Sequence, residues 1–269
     1  MRPYAEVIGD PIAQSKSPAI HGFWAGALGL EADYRAAHVH AEGLADYLAA
    51  RRADPLWRGC NVTMPHKQAI LALLDGCDPL AARIGAVNTV VPAGDGRLLG
   101  YNTDLPGFVE PLGERRFDHA VVVGAGGAAR AVLLGLAQDG RAGQITVLNR
   151  NVGRAQALLE EFGIAGAALG LDAPLAGADL LVNTSALGMV GHPPLQLDLA
   201  ALAPGAVVYD IVTAPPLTPL LADAAARGLA TIDGLSMLIG QADYAFRHFF
   251  GARPPRADGD ASLRARLAA

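Results

Sequence analysis

Cysteine is nearly absent. The 269 residues contain two, Cys60 and Cys77, and no C-x-x-C pair, which leaves no disulfide framework and no zinc-ligand spacing. Charge is sparse as well: Asp, Glu, Lys and Arg make up 17% of the chain, with 21 basic residues against 26 acidic ones and a net charge of −5. No basic block interrupts this balance, so nucleic acid is excluded as the main partner. No run is long and apolar enough to cross a membrane, and the opening M-R-P-Y-A-E-V-I-G-D, with Glu6, lacks the pattern of a signal peptide. Internal repeats and low-complexity tracts are missing too. What is present is a 52% hydrophobic composition, enough for a sizeable core in one large or two modest domains. A cytoplasmic location is expected.

The most informative stretch is A-V-V-V-G-A-G-G-A-A-R-A, from Ala120 to Ala131. Ala120–Val123 is short, apolar and β-branched, as expected of a strand buried on both faces. Gly124, Gly126 and Gly127 then turn the chain into an Ala/Leu-rich helical run reaching Ala137. The spacing G-x-G-x-x-A, with Ala129 in the third position, fits the dinucleotide fingerprint. In it one glycine makes the turn and another admits the pyrophosphate to the backbone, while helix N–H groups face the anion. A second apolar strand, Gln144–Leu148, ends at Asn149-Arg150, with Arg154 one helical turn on. An NAD site places an acid here to bind the ribose hydroxyls. A neutral Asn and two guanidiniums instead suit a 2′-phosphate, so the expected cofactor is NADP.

About 115 residues precede this Rossmann-type unit and must form structure of their own. Strands are expected at Tyr4–Ile8, Ala32–His40 and Gly59–Thr63, alternating with helices at Ser17–Leu28, Gly43–Arg52 and Lys67–Leu74. Asn88–Val91 and Leu98–Tyr101 read as paired short strands around A-G-D-G. This alternation predicts an α/β domain with a largely parallel sheet. Beyond Arg150 the pattern continues with a helix to about Phe162 and strands at Ala165–Leu169, Asp179–Val182, Ala206–Val212 and Leu229–Ile232. Helices are expected at Leu217–Arg227, Gly234–Phe250 and Ala261–Leu267, the last after a Pro-rich turn. The C-terminal helices are expected to return to the first domain.

Polar islands in the first half fall at strand ends and turns, where α/β folds gather ligands. Gly9–Pro18 carries Ser15 and Ser17 before a helix, suited to a polyol or carboxylate, although capping alone accounts for Ser17 beside Pro18 equally well. In Asn61-Val-Thr-Met-Pro-His-Lys67, Asn61 and Thr63 share one face of a strand end and Lys67 follows Pro65. Gly85-Ala-Val-Asn-Thr89 and Gly100-Tyr-Asn-Thr-Asp104 add two further Asn-Thr pairs. Each could be ordinary turn chemistry; their accumulation in one domain points to a site.

These islands resemble the motifs of the shikimate dehydrogenase family. The serine loop G-x-P-I-x-x-S-x-S-P is matched at Gly9–Pro18, N-V-T-x-P-x-K at Asn61–Lys67, G-A-V-N-T at Gly85–Thr89 and G-x-N-T-D at Gly100–Asp104. The glycine motif G-A-G-G-A is matched at Gly124–Ala128, and N-R-x-x-x-R at Asn149–Arg154. Asn183-Thr-Ser-Ala-Leu-Gly-Met189 and Asp233-Gly-Leu-Ser-Met-Leu-Ile-Gly-Gln241 are similar to two later family motifs. The matches run in order along nearly the whole chain.

The resemblance implies NADPH-dependent, reversible reduction of 3-dehydroshikimate to shikimate, on the route to chorismate and the aromatic amino acids. It implies a substrate-binding catalytic domain over residues 1–108, an NADP-binding Rossmann domain over 109–235, and helices over 236–269 packing back on the substrate domain. Lys67 and Asp104 would be the catalytic pair. Ser15, Ser17, Asn61, Thr63, Asn88 and Gln241 would join them around the substrate. Gly124, Ala125, Gly126, Gly127 and Ala128 would hold the pyrophosphate, with Asn149, Arg150 and Arg154 around the adenosine ribose and its phosphate. Thr184, Ile211, Gly234 and Met237 would lie near the ribose and nicotinamide. The partner implied is a small molecule, in a monomer or homodimer.

The chain departs from the family pattern in places. Gln14 stands where His is frequent, Gly22 where Asn is common, and Asn151 where Thr often follows the Asn-Arg pair. Thr213 takes the place of a Tyr that reaches the substrate; it keeps a hydroxyl and loses the reach. His38 and His40, two apart on a strand, have no third metal ligand at a recognisable spacing, and no metal is expected. His66, beside Lys67, reads as incidental. Two other functions stay open: a quinate/shikimate dehydrogenase using NAD or NADP, and a non-catalytic shikimate or nucleotide sensor on the same fold.

Overall fold

The computed structural model describes residues 2–268. Contacts divide the chain into two compact units. One comprises the described residues up to Thr103 together with those from Gln241 onward; the other is Asp104–Gly240. The chain is α/β throughout.

In the first unit, β1 (Tyr4–Gly9) is followed by α1 (Ser17–Ala27), β2 (Asp33–His38), α2 (Leu44–Arg52) and β3 (Trp57–Val62). Then come β4 (Gly76–Cys77), α3 (Pro79–Ile84), β5 (Thr89–Pro92) and β6 (Leu98–Tyr101). The sheet order is β2-β1-β3-β5-β6-β4. β1 pairs parallel with β2 and β3, and β4 pairs parallel with β6. The sheet is nevertheless mixed, because the β5–β6 hairpin makes the β3–β5 and β5–β6 pairings antiparallel. A short loop can join only antiparallel neighbours. One face is closed by Tyr4, Ile8, Leu44, Leu48, Trp57, Val62 and Ile70. Over the other lie Ala245 and Phe249, against Ala5.

The expected helix at Lys67–Leu74 is instead a turn followed by a 3-10 helix, Ala69–Leu73. The Lys67 carbonyl accepts a hydrogen bond from the Val87 N–H at 2.8 Å, so it is turned toward the neighbouring segment rather than into a helical ladder. α3 had no periodicity to reveal it. It is defined by its ends: the Asp78 carboxylate accepts from the Ala81 N–H at 2.8 Å, and Gly85 closes it in the left-handed conformation.

The second unit opens with α4 (Asp104–Val109) and β7 (Phe117–Val123), followed by α5 (Gly127–Ala137), β8 (Ala142–Leu148), α6 (Val152–Phe162) and β9 (Gly166–Leu169). Next are β10 (Leu180–Asn183), β11 (Val207–Asp210), α7 (Pro219–Ala226) and β12 (Ala230–Ile232). The all-parallel order β12-β11-β10-β7-β8-β9 is doubly wound, reversing direction between β7 and β10. Side-chain alternation explains why its strands are apolar throughout. Ala120 and Val122 enter one core with Leu180, Val182 and Tyr209. Val121 and Val123 enter the opposite core with Leu181 and Val208.

α8 (Gly234–Phe250) begins in the second unit and ends in the first, and α9 (Arg256–Ala268) follows it. α9 starts earlier than the expected Ala261 because Arg256 is held by Asp260 and Asp243. It packs on α1, with Gly259 and Arg266 against Phe23.

Candidate active site

In the first unit, β2, the ends of β3, β5 and β6, the start of α1 and Gln241 of α8 bring neutral hydrogen-bonding side chains into one buried network. Tyr34 donates to Asn61 Oδ1 at 2.6 Å, and Ser17 lies beside the same phenol. Burial, first of all, holds the Tyr34 hydroxyl in its protonated state, well above its ordinary pKa. Asn61 Nδ2 donates to the Asn88 carbonyl at 3.2 Å and to Thr89 Oγ1 at 3.1 Å. Asn88 and Thr103 bond reciprocally: Asn88 Nδ2 donates to Thr103 Oγ1 at 2.9 Å, and the Thr103 N–H donates to Asn88 Oδ1 at 2.7 Å. Gln241 Oε1 lies 3.4 Å from the Thr103 hydroxyl. Ser17, Asn61, Asn88 and Gln241 are therefore all buried and share partners. Such cross-braced amides fix where their remaining donors and acceptors point.

Ser15 is half-buried, and its hydroxyl accepts from the Ser17 N–H at 3.3 Å. This leaves Ser17 itself without a capping role, since α1 is preceded by Lys16 and has no side-chain cap. Thr63 and Lys67 are half-buried in the turn after β3. His66, just before Lys67, is buried and donates from Nε2 to the Val39 carbonyl at 2.7 Å; it is a structural brace. Asp104 directly follows Thr103, is buried, and forms the first turn of α4.

Three positioning residues were not singled out from sequence. Thr89 and Thr103 stand inside the Asn-Thr islands and hold the two asparagines. Tyr34 has no motif of its own and reaches Asn61 because β2 lies beside β1.

In the second unit the candidate cofactor residues sit at the C-terminal ends of the parallel strands. Gly124 has φ +109°, and a Cβ there would meet Thr184 Oγ1 at 2.7 Å. Thr184 belongs to that position because its hydroxyl donates to the Val123 carbonyl at 2.7 Å, across the point where strand order reverses. A Cβ on Gly126 would meet nothing within 4 Å, and no side chain caps α5. By contrast, Asn151 caps α6 and Thr218 caps α7. The uncapped first turn of α5 and the open space over Gly126 fit a dinucleotide pyrophosphate.

After β8, Asn149 Nδ2 donates to the Asn151 carbonyl at 2.8 Å. Arg150 and Arg154 are exposed, and neither guanidinium makes an ion pair among the described residues. Two unpaired cations beside the ribose position suit a phosphate dianion. After β11, Asp210 accepts from Asn183 Nδ2, the Val212 N–H and Thr218 Oγ1. Burial raises its pKa, against the pull of these bonds. The bonds fix the segment Ile211–Thr213, in which Ile211 and Thr213 are half-buried. Gly234 is required by close approach: a Cβ there would meet the Val212 and Ile211 carbonyl oxygens at 2.3 and 2.5 Å. Met237, one turn into α8, is packed in the core of this unit.

Comparison with known proteins gives these two sets of residues a common context. Residues 7–90 match the model of the shikimate dehydrogenase substrate binding domain, and residues 111–186 match that of shikimate / quinate 5-dehydrogenase. The chain belongs to the shikimate dehydrogenase family. It is 58% identical over 269 residues to shikimate dehydrogenase (NADP(+)) of Sphingopyxis alaskensis, covering 99% of this chain and 97% of that protein. Shikimate 5-dehydrogenase of Thermus thermophilus, solved in complex with NADP(H) and shikimate, is 39% identical with a TM-score of 0.86, covering 98% of this chain and 99% of that one. Quinate dehydrogenase of Corynebacterium glutamicum, solved with NAD, is 33% identical with a TM-score of 0.87, covering 98% and 99%. The family's folding plan is thus shared by relatives whose names carry either substrate and either cofactor.

Proposed function

We propose that this shikimate dehydrogenase family member interconverts 3-dehydroshikimate and shikimate with NADP as cofactor, acting in the cytoplasm as a monomer or homodimer. The observation that carries the reading is the pairing of a neutral, cross-braced hydrogen-bonding network around Ser17, Asn61, Asn88 and Gln241 with two unpaired arginines, Arg150 and Arg154, where the ribose acid of an NAD site would stand. Hydroxyls and amides in fixed orientations read the hydroxyls and carboxylate of a polyol acid. The arginines read the 2′-phosphate.

NADPH, when bound, would supply a hydride for the substrate ketone. As the carbonyl oxygen gains negative charge, the Lys67 ammonium stabilises it and delivers the proton that completes the hydroxyl. Asp104 orients Lys67 and accepts from a substrate hydroxyl. Ser15, Ser17, Asn61, Thr63, Asn88 and Gln241 hold the ring, and Thr213 contributes a short hydroxyl. Gly124–Ala128 receive the pyrophosphate, Asn149, Arg150 and Arg154 the adenosine end, and Thr184, Ile211, Gly234 and Met237 the nicotinamide end.

A second reading, quinate/shikimate dehydrogenase, is favoured by one feature. Thr213 stands where the family pattern has a Tyr that reaches the substrate, and a shorter hydroxyl there would bear on the additional hydroxyl of quinate. Reduced-cofactor absorbance followed with shikimate or quinate, each with NADP and NAD, separates the two readings. Turnover with shikimate and NADP, lowered at least about 10³-fold in Lys67→Ala with KM changed far less, is the expected result. A preference for quinate or NAD would transfer the assignment to the second reading. Binding without turnover would leave a sensor.

A further inference from the structure

His38 ends β2, and His40 follows it two residues later, so both rings fall on one side of the extended chain. Parallel pairing sets Gly9, the last residue of β1, opposite His38. Asp10 comes next in the chain and is thereby delivered between the two rings. Its carboxylate accepts from His38 Nε2 through Oδ1 at 2.7 Å and from His40 Nδ1 through Oδ2 at 2.9 Å. The imidazole centroids are 4.4 Å apart. One donor atom from each residue lies within 4.8 Å of the others.

We propose that Asp10, His38 and His40 form a binding site for a divalent transition-metal ion of the zinc class. Four ligands about 2.0–2.1 Å from a tetrahedral zinc ion stand about 3.3 Å from one another, so the three side chains need only small adjustments to admit the ion. Two imidazoles and one carboxylate favour zinc, cobalt, nickel or copper over magnesium and calcium, which prefer all-oxygen shells. On coordination each imidazole keeps its proton on the other ring nitrogen, and the carboxylate exchanges two N–H donors for the cation. With three protein ligands, the fourth position stays open to water or a small anion. The side chains of Asp10, His38 and His40 are 35%, 50% and 62% exposed, so the ion enters directly from solvent.

The site ties two segments beside the last rungs of the β1–β2 pairing. One is the end of β2, where the Val39 carbonyl is held by His66. The other is the loop from Asp10 to Pro18, which carries Ser15 and Ser17. A bound ion would stiffen that loop at its first residue.

The test uses the tag-free, full-length protein stripped of metal and titrated with zinc chloride by calorimetry, with cobalt substitution read by visible absorption. Saturable binding of one equivalent is expected. His40→Ala or Asp10→Asn weakens it at least about tenfold, since even residues that only support a metal ligand change affinity by 10–100-fold. The double variant His38→Ala/His40→Ala abolishes it, while His192→Ala, which removes an exposed histidine elsewhere, leaves it unchanged. All the altered side chains are substantially exposed, and far-UV circular dichroism verifies folding. No saturable binding up to millimolar zinc, or one equivalent still bound by the double variant, would overturn the proposal.

Discussion

His21 gives the sharpest stability prediction. It is fully buried in α1, stacked on Tyr34 with centroids 4.0 Å apart and planes 4° from parallel, and surrounded by Trp24, Phe246 and Phe249. Neither ring nitrogen has a hydrogen-bond partner among the described residues, and every ring packed against it is uncharged. Burial pushes its pKa down from 6.5 to about 3. The unfolded chain therefore binds a proton that the folded chain refuses. Stability is complete above pH 6.5 and is lost as pH falls toward 3. At 1.36 kcal/mol per pKa unit, moving from pH 7 to pH 5 costs about 2 kcal/mol through this one ring. His21→Phe keeps the aromatic stack and removes both unpartnered nitrogens, whose burial is itself unfavourable. Urea denaturation of both proteins at pH 7 and pH 5 cancels the carboxylates they share. The stability difference between variant and wild type should shift by about 2 kcal/mol in the variant's favour at the lower pH. Parallel pH dependence of the two proteins would refute the reasoning.

Other expectations concern charge. Arg154→Ala should raise the KM for NADP about 10–100-fold, the worth of a charge-assisted hydrogen bond or pair of bonds, with the KM for shikimate unchanged; equal loss for both ligands in steady-state kinetics would remove Arg154 from the phosphate site. Arg51→Ala should cost about 3 kcal/mol in chemical denaturation. It strands Glu6, 2% exposed, whose carboxylate now accepts from Arg51 Nε at 2.6 Å and Tyr47 at 2.7 Å. An unaltered unfolding midpoint would show that Tyr47 alone satisfies the acid.

Much of this was legible from residues because the signals were local. The strand–glycine–helix passage at Ala120–Ala131 became β7 and α5, and the helix expected at Gly234–Phe250 is α8 residue for residue. The Asn-Thr islands do mark strand ends, and Asn61 and Asn88 do share one network. What escaped was short or non-local. β4 has two residues and α4 six, too few for a period of either kind to emerge. The helix expected at Lys67 fails because Val87 claims its carbonyl from 20 positions away. Asp10 joins His38 and His40 only after β1 and β2 pair, and Tyr34 reaches Asn61 by the same pairing. Sequence spacing contains no trace of either meeting.

The division of the chain after Thr103 and again after Gly240 makes the second unit an insertion within the first. A ribosome finishes the inserted unit before the host is complete. Until Ala245 and Phe249 emerge, the Ala5 face of the first sheet is covered only in part, by α1 through His21 on Tyr34, and Gly59, built to lie against Phe249, has nothing to receive. The unit that begins the chain is therefore the last to close. Its exposed apolar face during synthesis, rather than any weakness of the finished protein, is where aggregation in an overexpressing cell should begin.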